Sequence, residues 1–301
     1  MPDIRLFVKT FLMAMLAFAA GRAVDAQIMS EAMLAFPAQT DSLEYDNLAS
    51  LRTLPNYEAL RQRFSGKPLE QVKTALSLLA IDESQVHEIV IGSSPSAFYG
   101  LLSGTFNGTA AAKAAAKKGL MPVMADGAAF YCTADAACVT FLEDSLAAFG
   151  TSGQLKVMLA ARQGAIPRLS SKSNLVYLIG RMDQHAPVRG VASGSQLQSA
   201  LTDALQGQSG LNLDWSQIAS NINAFEYSVT LDSKAHVSST LECKSQTTAA
   251  VLRQMLGAVG SLQSVASKAG KDDATMPFQN LQVSSSGAIL NVKMDAPVPA
   301  A

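Results

Sequence analysis

Acid–base chemistry near neutral pH starts from histidine, and this sequence has three: His87, His185 and His236. A zinc site draws three or four ligands, commonly two of them close in sequence. No two of these histidines are close. His87 and His236 open strand-like segments and His185 precedes Pro187, so each reads as an exposed or strand-edge residue. Serine is abundant, but no G-x-S-x-G elbow occurs. A Ser–His–acid set would have to converge from separate loops. The paired acids, Glu143-Asp144 and Asp272-Asp273, are adjacent in sequence. Glycoside hydrolysis instead needs two carboxyls facing each other across a cleft. Glycine-rich dinucleotide and phosphate loops are missing. The expectation is no catalytic residue, no cofactor and no metal.

Binding is the stronger theme. LEYDNLASLRTLPNYEALRQRF, residues 43–64, gathers Tyr45, Asp46, Asn47, Arg52, Asn56, Tyr57, Arg61 and Arg63. Tyr45, Asn47, Arg52 and Tyr57 are candidate ligand contacts. The competing reading is a strand-to-helix corner whose polar groups satisfy the backbone of the turn. LAARQGAIPRL (159–169) adds Arg162 as a fifth candidate, with Arg168 beyond it. A cation at a helix end is also stabilised by the helix dipole, so a structural role competes here too. Lys113, Lys117 and Lys118 read as the solvated face of a helix. Trp215 reads as core, and Asn107-Gly108-Thr109 matches a glycosylation sequon.

The positioning elements follow from patterning. Residues 27–40 read as a partly helical lead-in, and Ser42–Asn47 alternates like a strand. Pro55 and Pro68 each open a helix. Strands are expected at His87–Ile91 and Ala97–Phe106, a helix at Thr109–Lys118, and strands at Ala128–Cys132, Cys138–Leu142 and Leu146–Gly150. Linking helices follow at Gly153–Gln163 and Lys172–Met182. The later part reads strand (Pro187–Ala192), two helices (Ser195–Leu205, Asp214–Ile222), two strands (Phe225–Leu231, His236–Cys243), helix (Gln246–Lys268), two strands (Leu281–Ser285, Ala288–Met294). The order repeats that of the first half at a nearly constant offset, His87 to Phe225 and Phe98 to His236, with little residue identity. The expected fold is α+β: two similar modules, residues 27–150 and 187–297, joined by linking helices at 151–186 and followed by a tail at 298–301. The antiparallel sheet would carry its helices on one face.

Compartment is read from the N-terminus. Arg5 and Lys9 precede the uncharged run FLMAMLAFAA (Phe11–Ala20), then Gly21 and Ala23-Val24-Asp25-Ala26. This is a three-part secretory signal over residues 1–26 with cleavage after Ala26; an uncleaved anchor is the alternative. The apolar run is about half the roughly 20 residues that span a bilayer. Removing it moves the net charge only from −1 to −2, which gives no footprint for nucleic acid. No stable membrane insertion is expected after cleavage. Export brings oxidising conditions. FYCTADAACVTFL places Cys132 opposite Cys138 across a hairpin, so a disulfide is expected, with two buried thiols as the alternative; Cys243 is left over.

The corner segment, ARQGAIPRLS (161–170) and APVRGVASG (186–194) together resemble exported, periplasmic or secreted, proteins of Gram-negative bacteria with no assigned activity. The resemblance therefore implies location and carries over no functional residue. The functional expectation is a non-catalytic exported protein that binds an envelope partner or small ligand. The alternatives are a hydrolase with an unrecognised site and a carrier of an apolar molecule.

Overall fold

The computed structural model describes residues 25–54, 57, 73, 74, 76, 77, 79–95, 97–119, 121–134, 136–171, 173–194, 197, 198, 215–232, 234–268 and 279–297. Residues 1–24 of the expected signal segment, most of the helices opened at Pro55 and Pro68, most of the helix at Ser195–Leu205 and the tail lie outside these residues.

In chain order the elements are α1 (Asp25–Ala35), β1 (Ser42–Asn47), α2 (Leu48–Leu51), a 3-10 turn (Glu83–Gln85), β2 (Val86–Ser94), β3 (Ala97–Gly104) and α3 (Gly108–Lys117). Then come β4 (Val123–Ala125), β5 (Ala128–Cys132), β6 (Cys138–Glu143), β7 (Leu146–Gly150), α4 (Ser152–Gln163) and α5 (Ser173–Arg181). The remainder is β8 (Val188–Ser193), α6 (Trp215–Ser220), β9 (Ile222–Leu231), β10 (Lys234–Cys243), α7 (Gln246–Lys268), β11 (Gln279–Ser286) and β12 (Ile289–Pro297). Sequence patterning places most of these; it misses β4 and starts β9 late, at Phe225 instead of Ile222.

Among the described residues twelve strands join one sheet in the order β11-β12-β10-β9-β8-β1-β2-β3-β7-β6-β5-β4, and every described pairing is antiparallel. The expected α+β class is present. The β1–β8 pair joins the two halves of the chain within the sheet, with Glu44 opposite Gly190 and Tyr45 opposite Arg189. Outward from it, one side runs β1-β2-β3-β7-β6, continued by β5 and β4, and the other β8-β9-β10-β12-β11.

Alternation sorts side chains between two faces. Glu44, Asp46, Val188, Gly190, Tyr227 and Val229 point one way; Leu43, Tyr45, Glu88, Val90, Arg189 and Ser228 point the other. The first face carries two cores. In one, Ala111 and Ala115 of α3 pack with Leu102, Val139 and Phe149. In the other, Ala219 of α6 and Ala249 and Leu252 of α7 pack with Val229, Leu290 and Val292. On the second face, Ile28 and Ala32 of α1, Leu155 of α4 and Leu175 of α5 enclose Leu43, Tyr45, Val90 and Leu101 over the first half of the sheet. The single helix-bearing face expected from sequence therefore holds for α2, α3, α6 and α7. The lead-in and linking helices occupy the opposite face, because their apolar stripes need a surface that the first is too crowded to give.

Local chemistry fixes the joints. Asn107 caps α3, its side chain accepting from Ala110 N at 2.7 Å. Thr151 and Gln154 form a capping box on α4, which ends at Gly164 with φ +79. Cys132 and Cys138 sit directly opposite in β5 and β6 and form the expected disulfide. Cys243 is free and buried.

Candidate binding cleft

Among the described residues, no helix covers one face of the second half of the sheet. From β9 to β11 that face presents Ser228 and Thr230, then His236 and Ser238, then Lys293 and Asp295, then Asn280 and Gln282, flanking a cleft of about 550 Å³ with Asp183 on its wall. Alternation predicts this side: HVSSTLEC puts His236, Ser238 and Thr240 on one face, and β12 puts Lys293 and Asp295 opposite them.

The wall is the connection from α5 to β8, where Asp183 borders the cleft. Leu175, Leu178 and Ile179 of α5 are buried. At the end of α5 the Arg181 guanidinium pairs with Glu226 of β9 at 3.6 Å and with Glu242 of β10. Tyr177 lies beneath the Arg181 guanidinium, 60% exposed. The connection is stapled from below. Arg189 Nη1 donates to the Gln184 and Ala186 carbonyls at 3.1 and 2.7 Å. The Gln184 amide donates to the Ile179 and Met182 carbonyls.

At the end of the floor His236 is held between two carboxylates, Nδ1 to Asp295 Oδ1 at 2.8 Å and Nε2 to Asp232 Oδ1 at 3.1 Å. The hydrogen bond to Asp295, then that to Asp232, push the imidazole above its ordinary value. Asn280 Nδ2 donates to the other Asp295 oxygen at 2.6 Å. This bond first, and His236 second, hold the Asp295 carboxyl below the usual carboxylate range. Ser238 shares the face with His236, but both imidazole nitrogens already serve carboxylates, so the serine has no base to activate it.

Two buried polar groups flank the β1–β8 seam. On the covered face, Tyr45 donates to Glu88 Oε1 at 2.8 Å and Ser103 donates to Glu88 Oε2 at 2.6 Å, while the Arg189 guanidinium stacks 3.9 Å from the Tyr45 ring centre. On the other face, Glu44 and Asp46 share a hydrogen bond, and Tyr227 donates to Glu44 Oε2 at 2.6 Å. Both carboxyls keep some accessible surface, yet surrounding atoms displace most of their water. That desolvation pushes Glu44 up to about 6 and raises Asp46 as well.

The sequence candidates fall in three places. Tyr45 joins the covered network just described. Asn47, Arg52 and Tyr57 build the strand-to-helix corner: Asn47 Oδ1 caps α2 through Ser50 N at 3.0 Å, Arg52 reaches the Glu83 and Ser84 carbonyls, and Tyr57 donates to Glu83 Oε1 at 3.2 Å. Arg162 pairs with Glu31 at 3.1 Å and Glu143 at 3.0 Å and lines a shallow hollow between α1 and α4, also bordered by Leu34 and Leu159. None of the five reaches the cleft. Among the described residues no three His, Cys, Asp or Glu side chains are placed to hold a metal, and no helix is long and apolar enough to cross a membrane.

No family model matches the chain, and no curated protein matches it. Among solved structures, crystal form I of TP0453 is similar over 88% of this chain and 91% of that one, at 11% identity and a TM-score of 0.49.

Proposed function

We propose that the chain is an exported, non-catalytic protein of the cell envelope that binds a ligand or partner in the cleft over the β9-β10-β12-β11 floor, beside Asp183. The observation that carries this is the half of the sheet that no described helix covers. A face lined by polar tips, walled by a stapled connection, is a surface prepared for something outside the chain. His236, locked between Asp295 and Asp232, supports a binding role over hydrolysis.

The proposal includes export through a signal at 1–26 cleaved after Ala26, release to the periplasm or medium, and kinship with the exported proteins that 161–170 and 186–194 resemble. It also includes descent of the two modules, 27–150 and 187–297, from a duplicated unit. The matching strand orders on either side of β1–β8 support that last point. The test compares recovery of envelope components by the mature chain and by its Ser238→Trp variant, which fills the cleft. Recovery by the first and not the second is expected. Equal recovery, or none, overturns the binding site. N-terminal sequencing of the periplasmic fraction should begin at Gln27.

A further inference from the structure

We propose that the β4 edge of the sheet, together with the end of α3, docks on an anionic phospholipid surface, where the chain rests without spanning the bilayer. This edge is the opposite end of the sheet from β11 and the cleft.

The surface comes from KAAAKKGLMPVMADG, residues 113–127. Ala111 and Ala115 turn one side of α3 into the core. Lys113 and Lys117, four residues apart, share the other side, and Lys118 follows; all three are exposed. Lys118 Nζ donates to the Ser77 carbonyl at 3.3 Å, which uses one of its three protons. The chain leaves α3 at Gly119, φ +76, and four residues later enters β4, so the lysines and the strand are tethered closely together. In β4, Val123 lies opposite Phe130 and Met124 opposite Ala129, so the two side chains point to opposite faces. An edge strand with one solvated face should be polar on that face. This one is apolar on both. Met121, Val123 and Met124 are 76%, 54% and 67% exposed, and none of them packs into a described core cluster.

Shape decides among occupants. A second copy or an extended peptide would add to β4 as a strand, but β4 is three residues long, and Pro122 just before it has no N–H to give. A folded partner needs about 800 Å² of complementary surface on each side, far more than three side chains spread over both faces of one short strand. A bilayer needs no complementary shape. It takes the apolar tips at the acyl boundary while lysines stay among the headgroups. Charge decides the lipid. Residues 113–126 carry Lys113, Lys117 and Lys118 against Asp126 alone, a basic patch on a chain of net charge −1. Asp144 is held by Thr109 at the other end of α3. Each lysine near an anionic surface adds to the attraction, and so small an apolar knob gives reversible adsorption.

The purified protein is floated with vesicles of mixed phosphatidylglycerol and phosphatidylcholine, and with vesicles of phosphatidylcholine alone. Binding to the anionic vesicles should be tighter by more than about tenfold and should weaken as salt is raised. Replacing Lys113, Lys117 and Lys118 by Gln should bring it down to the neutral level. Replacing Met121, Val123 and Met124 by Ser should abolish binding to both. The emission of Met124→Trp, read as the difference from the parent with its single Trp215, should shift to the blue on the anionic vesicles. Absence of binding, equal binding to the two vesicles, or binding that either triple variant retains overturns the proposal. So does a Met124→Trp emission that vesicles leave unchanged, a result readable even if a triple variant fails to fold. A lipid-free dimer that the serine variant turns into a monomer gives the edge to a second copy and overturns it as well. Ser238→Trp should bind vesicles like the parent; loss of binding there moves the lipid to the cleft and away from β4.

Discussion

The Tyr227 hydroxyl donates to Glu44 Oε2 at 2.6 Å across the gap that Gly190 leaves between them. The two residues lie 183 positions apart in the chain and on strands β9 and β1, which are not neighbours in the sheet. A Cβ on Gly190 would sit 2.6 Å from the Tyr227 ring. The glycine is thus required for the contact, as Gly100 is for Phe149 on the other side. Gly190→Ala should cost about 1–3 kcal/mol of stability by overpacking, read by denaturant unfolding. An unchanged midpoint would show that Tyr227 swings away freely.

Glu44 gives the chain a pH dependence of known sign. Burial raises its folded value to about 6 from 4.5, so the folded state holds this proton more tightly than the unfolded one. The resulting stability is fully present below pH 4.5 and is lost as pH rises through about 6. His236 acts in the same direction at higher pH, because its folded value is raised above 6.5. Glu44→Gln should flatten the lower part of the stability–pH curve, leave the upper part, and be more stable than the parent at pH 7.5. A wild-type curve that climbs between pH 5 and 7 contradicts this account.

Glu88 accepts from the buried Tyr45 hydroxyl and the half-buried Ser103 hydroxyl. Glu88→Ala removes both of these bonds and should cost roughly 1–3 kcal/mol, whereas Tyr45→Phe removes one donor and should cost less. Thermal unfolding of the two variants ranks them, and a Tyr45→Phe penalty as large as that of Glu88→Ala would remove Glu88 as the hub.

The Cys132–Cys138 bridge closes a loop with a sequence separation of 6, for which chain entropy gives about 2 kcal/mol. Alkylation of the unfolded, unreduced chain should add one label, on Cys243. Three labels would disprove the bridge, and Cys132→Ser with Cys138→Ser should lower stability by the stated amount.

Much of this arrangement was legible in the residues. SLEYDN alternates cleanly and is β1; Gln246–Lys268 is recovered as α7 to the residue. β4 escaped because Val123–Ala125 is three residues long and exposed at its first two positions, too short for any period to register. Ile222 reads as the end of a helix, yet it is buried in β9, where pairing with β10 overrides local preference. The corner cluster was visible because its polar residues are contiguous, and its structural role was among the readings offered. The cleft was not, since Ser228, Ser238, Lys293 and Gln282 come from four strands and become neighbours only through register. The one sequence clue was the run of alternate polar residues in HVSSTLEC, with no buried partner implied for them.

The pairing of β1 with β8 also sets an order of events in time. β1 emerges near the start of the chain and can be covered on one side by β2 soon afterwards, but its other side has no partner until β8 is made. Closing so long a loop is slow, and until it closes the free side of β1 is an open template of main-chain donors and acceptors. A second nascent chain offers the same two strands, so exchange of halves between chains is the natural error of this topology.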